Sequence, residues 1–84
     1  MPVSYLTRLE TLQKHLKSKC HIKIGHESYF GFYASVETEN NAYPYWIKFN
    51  GKTLRDAIKK LLEFFDGKRE DHSMKKRTAK DFLL

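Results

Sequence analysis

The sequence predicts a two-layer α+β domain, ordered α-β-β-β-α, with the helices on one face of a three-stranded antiparallel sheet and a basic C-terminal tail after it. Three observations predict it. Apolar residues recur at helical spacing toward both ends of the 84-residue chain. They alternate with period 2 in between, and the changes of period fall at short polar or glycine-bearing turns. A chain of this length supports one hydrophobic core, so residues 1–67 read as a single domain and 68–84 as the tail.

The first helix has Ser4 as a cap and an overlapping Thr7-x-x-Glu10 capping box. Leu6, Leu9, Leu12 and Leu16 form its apolar stripe, and its end is expected near Ser18-Lys19, where Lys17 and Lys19 suit the negative pole of the helix dipole. Cys20, Ile22 and Ile24 alternate with His21 and Lys23 as a short strand, and Gly25-His26-Glu27-Ser28 reads as the connection.

The second strand spans about Tyr29 to Glu37. Phe30, Phe32, Ala34 and Val36 share one face, and Tyr29, Gly31, Tyr33 and Ser35 the other. After the polar turn Thr38-Glu39-Asn40-Asn41, a third strand is expected from Ala42 to Asn50. It places Tyr43, Tyr45, Ile47 and Phe49 on one side and Trp46 and Lys48 on the other; Pro44, which has no N–H to donate, makes it an edge strand.

Thr53-Leu54-Arg55-Asp56 opens the second helix. Leu54, Ala57, Ile58, Leu61 and Phe65, widened by Leu62 and Phe64, give it a broad apolar stripe, and Gly67 stops it. Lys68 to Ser73 is polar. Met74 to Leu84 has a short helical pattern, too short to hold alone in water, that either docks on the domain or orders on a partner.

Charge and aromatic content are segregated. Residues 20–52 hold eight of the twelve aromatics and no net charge, because Lys23, Lys48 and Lys52 are matched by Glu27, Glu37 and Glu39. Residues 1–19 carry +3 (Arg8, Lys14, Lys17 and Lys19 against Glu10). Residues 67–84 carry the other +3 (Lys68, Arg69, Lys75, Lys76, Arg77 and Lys80 against Glu70, Asp71 and Asp81). A net charge of +6 favours anionic partners. The single cysteine, Cys20, allows no internal disulfide and suits a reducing, cytoplasmic compartment. No apolar run approaches spanning length, and no membrane association is expected.

Catalytic patterns are missing. Asp56, Glu63 and Asp66 sit among Arg55, Lys59 and Lys60, as surface ion pairs do, and there is no glycine-rich phosphate loop or nucleophile elbow. Cys20, His21, His26 and His15 match no metal-ligand spacing. The chain is therefore read as a non-enzyme without metal or cofactor.

If the alternating apolar positions face the helices, the opposite sheet face carries His21, Lys23, Tyr29, Tyr33, Ser35, Trp46 and Lys48. Tyr29, Tyr33 and Trp46 would stack unpaired bases, Lys23 and Lys48 would hold phosphates, and Lys68, Arg69, Lys75, Lys76, Arg77 and Lys80 would extend the footprint. The leading expectation is a small nucleic-acid-binding protein favouring single-stranded DNA or RNA. The alternative is a protein-interaction module, a small regulator or inhibitor that docks on a larger machine through the same face or the edge near Pro44. A homodimer closed through that face, or the tail folded over it, would instead make it core.

The element order resembles that of double-stranded RNA-binding domains, in which a Lys-Lys-x-Ala-Lys-like motif opens the second helix and grips phosphates. Here that helix opens with Thr53-Leu54-Arg55-Asp56-Ala57-Ile58-Lys59-Lys60, and the nearest string, Lys75-Lys76-Arg77-Thr78-Ala79-Lys80, follows it. The likeness is one of element order.

Overall fold

A computed structural model describes residues 4–71 and 76–84. Helix α1 (Tyr5–His15) is followed by strands β1 (Cys20–Glu27), β2 (Gly31–Thr38) and β3 (Trp46–Gly51), helix α2 (Leu54–Phe65) and a single helical turn, α3 (Ala79–Phe82). The sheet is an antiparallel meander in the order β1-β2-β3. Both long helices cover the face that carries Ile22, Ala34, Val36, Ile47 and Phe49, giving the expected two-layer α+β architecture. Among the described residues, no helix is long and apolar enough to cross a membrane.

Helix α1 starts where the sequence places it, with the Ser4 hydroxyl accepting from the Thr7 amide at 3.2 Å. It ends earlier. Leu16 takes an extended conformation and forms an isolated antiparallel bridge with Leu83, so tertiary pairing stops the helix before the expected Ser18-Lys19 end. Helix α2 is capped at both ends. The Thr53 hydroxyl accepts from the Asp56 amide. At the other end Gly67 has φ +78°, and the Lys68 and Gly67 amides close back on the carbonyls of Glu63 and Phe64.

Strand boundaries move in all three strands. β1 runs on to Glu27, and the turn is Ser28-Tyr29-Phe30, leading into Gly31 at φ +80°. A side chain at Gly31 would meet the Gly51 carbonyl at 2.7 Å, so the hairpin requires glycine there. Gly25 stays inside the strand because the Tyr33 ring from the neighbouring strand occupies the space above it. Tyr29 and Phe30 consequently leave the sheet faces and stand exposed in the turn.

β3 begins at Trp46 instead of Ala42. Glu39–Asn41 form a 3₁₀ turn and Tyr45 has φ +73°, so Tyr43 and Tyr45 precede the strand and are not on its core-facing side. Pro44 itself is fully buried.

The C-terminal segment is part of the core. Phe82 is fully buried and meets the Phe64 and Phe65 rings edge-on at 6.1 and 6.0 Å. The backbone joins in, with the Lys17 amide donating to the Phe82 carbonyl and the Leu84 amide to the His15 carbonyl. Residues 76–84 thus pack against α1 and α2, which is the docked one of the two arrangements the sequence leaves open for this segment.

The two sheet edges are treated differently. At the β3 edge, Arg77 Nη1 donates to the Trp46 carbonyl and to that of Pro44 just before the strand, and Lys60 Nζ to that of Asn50. On β1, the Gln13 carboxamide bonds both the Cys20 carbonyl and the Ile22 amide, standing in for a neighbouring strand at that end.

Candidate interaction face of the sheet

The face turned away from the helices follows from strand register. Lys23 pairs with Ser35 and Gly25 with Tyr33 across β1 and β2. Glu37 pairs with Trp46, Ser35 with Lys48, and Tyr33 with Asn50 across β2 and β3. Three rows therefore cross the outer face: His21-Glu37-Trp46, Lys23-Ser35-Lys48 and Gly25-Tyr33-Asn50. Trp46 is half exposed (50%) and Tyr33 partly so. Among the described residues, neither long helix packs on this side.

Lys48 sits at the centre. Its ammonium lies 5.5 Å from the centroid of the Tyr33 ring and 5.9 Å from that of Trp46. It also donates to Glu27 Oε1 at 2.8 Å, and Asn50 Nδ2 donates to the same oxygen at 3.3 Å. The Lys48 hydrogen bond, with smaller help from Asn50 and from the Lys48 charge, holds the Glu27 carboxyl below its ordinary value. The cation thus organises the two aromatics and is already matched by a carboxylate.

Beside Trp46 the face dips into a hollow of about 320 Å³ lined by Ser35, Glu37, Thr38, Asn41, Trp46 and Lys48. Ser35, only 1% exposed, forms its floor and donates to the Lys23 carbonyl at 3.3 Å. Near it, His21 Nε2 donates to Glu39 Oε1 at 3.0 Å. Across this face Lys23 and Lys48 stand against Glu27, Glu37 and Glu39, so it holds none of the chain's positive excess of +6.

The structure brings Lys23, Tyr33, Trp46 and Lys48 together, as alternation predicts, and separates the remaining candidates. Tyr29 is 94% exposed at the hairpin tip, outside the aromatic cluster, because β1 outruns its expected end. Arg77 is no exposed phosphate arm. Its guanidinium is buried in an ion pair with Asp71, at 3.0 Å, and bonds the carbonyls named above. Arg69 pairs with Glu63 at 3.2 Å and lies over the Phe49 ring on the helix side of the sheet. Lys68, Lys76 and Lys80 are exposed, away from the outer-face rows. Lys75 lies outside the described residues.

Sequence reasoning missed Glu27, Glu37, Asn41 and Asn50. Simple alternation from His21 reaches Glu27, and from Tyr33 reaches Glu37; reading Gly25–Ser28 as a turn cut the first series short. Cys20 is buried against the Thr38 hydroxyl, His21 engages Glu39, and His26 packs edge-on against Phe32. Among the described residues no three potential ligands are placed to hold a metal ion. Comparison of the chain with models of known protein families, with curated proteins and with solved structures gave no match.

Proposed function

We propose that this chain is a small binding module that docks on a protein partner through the open face of its sheet, with Trp46 and Tyr33 as anchors. The observation that carries this reading is the state of Lys48: it is clamped between the two rings and neutralised by Glu27. A polyanion platform needs free cations beside its stacking residues, and among the described residues this face offers Lys23 alone as an exposed, unmatched lysine. A half-exposed tryptophan with a tyrosine in a charge-balanced surround is the composition of a protein–protein hot spot.

A photo-crosslinking side chain at Lys23, on the face, compared with one at Lys59, on the exposed side of α2, tests this in the native cell type. The expected result is a discrete protein adduct from position 23 that disappears when Trp46→Ala is added, with none from position 59. Binding of single-stranded nucleic acid that quenches Trp46 and weakens steeply with salt would overturn the proposal in favour of base stacking.

A further inference from the structure

We infer that the hollow beside Trp46 is a receptor for a guanidinium group, so that the docked partner presents an arginine side chain there; this rests on the docking reading above. The walls of the hollow include the acceptors of Glu37, Ser35 and Asn41 beside the flat Trp46 ring. Glu37 stands directly opposite Trp46 in the strand register, which puts their Cβ atoms about 4.5–5.5 Å apart. Its carboxylate is exposed and has no hydrogen-bond partner or ion pair among the described residues, unlike Glu27 and Glu39.

The Ser35 hydroxyl at the floor spends its proton on the Lys23 carbonyl, leaving its oxygen lone pairs as acceptors. Asn41 adds a side-chain carbonyl at the rim. A planar donor fork that stacks on indole while bonding a carboxylate fits this set, and a guanidinium has that shape. An ammonium supplies a point charge without the fork. Lys48 lines the same hollow, and its repulsion of an incoming cation is offset by Glu27 at 2.8 Å and opposed by the Glu37 carboxylate, unpaired among the described residues. An anion in the same place would face the Glu37 carboxylate.

The test is a titration of the intact chain with N-acetyl-arginine amide, followed by ¹⁵N NMR of the Trp46 indole and the Asn41 carboxamide. N-acetyl-citrulline amide, of the same shape but uncharged, and N-acetyl-lysine amide serve as controls. The arginine compound is expected to shift both signals and to bind about tenfold more tightly than either control, with that preference lost in Glu37→Gln. An equal response to citrulline, or a response unchanged in Glu37→Gln, overturns the assignment. A position-23 crosslink without any arginine response removes only the guanidinium receptor. An arginine response with no crosslinked protein removes the docking reading and keeps the receptor.

Discussion

Arg77 donates a hydrogen bond to the backbone carbonyl of Trp46, so the segment that closes the core also holds the strand edge from which the exposed indole projects. The same guanidinium bonds the Pro44 carbonyl and is neutralised by buried Asp71. Core and candidate site therefore meet at one residue.

Replacing Arg77 by Met is expected to cost about 3–5 kcal/mol, because it withdraws the guanidinium from a carboxylate that is itself buried. Lys80→Ala, at an exposed position, should stay within about 0.5 kcal/mol. Urea unfolding of the two variants measures the contrast. Equal stabilities would return Arg77 to the role of a surface arm.

Phe82→Ala removes a fully buried ring and should destabilise by about 3–5 kcal/mol, a large share of the roughly 5–15 kcal/mol available to a domain of ordinary stability. Thermal unfolding followed by circular dichroism reads this directly. A melting curve like the parent's would mean that the C-terminal segment is dispensable to the core.

At the centre of the face, Lys48→Met should let the Glu27 carboxyl titrate higher, toward its ordinary value of 4.5. Carboxyl ¹³C NMR follows that titration in parent and variant. An unchanged Glu27 titration would show that Lys48 does not hold it in solution, and the charge balance of the face would need revision.

The Tyr43–Asp81 contact sets a pH window. The Thr78 backbone amide chiefly, with the Tyr43 hydroxyl at 2.9 Å, lowers the Asp81 carboxyl below its ordinary 3.8. A carboxyl that ionises more readily in the folded chain contributes stability that is complete above its unfolded value and is lost as pH falls through its folded one. The same hydrogen bond to Asp81 raises the Tyr43 phenol above 10, and that contribution is lost only as pH rises through the folded value. The stability gap between the parent and Asp81→Asn should therefore close as pH drops below 3.8 and persist at neutral pH. A gap independent of pH in denaturation curves at pH 3 and 7 would contradict this.

Periodicity determined much of this protein without help from the fold. Leu9, Leu12 and Leu16, the Ala57–Phe64 stripe and the alternation of Ala34 with Val36 identify the elements and the buried face, because burial against one neighbour repeats with the backbone's own period. The same parity placed Tyr33, Trp46, Lys23 and Lys48 on one outer face. The three-dimensional chain decided what periodicity does not encode. Gly25 continues a strand because a ring from its neighbour covers it, and Leu16 leaves its helix to pair with Leu83. Arg77 and Lys76 read alike in the sequence, yet one is buried beside Asp71 and the other faces water. Charge along a chain is local, while its neutralisation depends on residues brought near by folding, and that separates a phosphate-binding lysine from the Lys48 that Glu27 already holds.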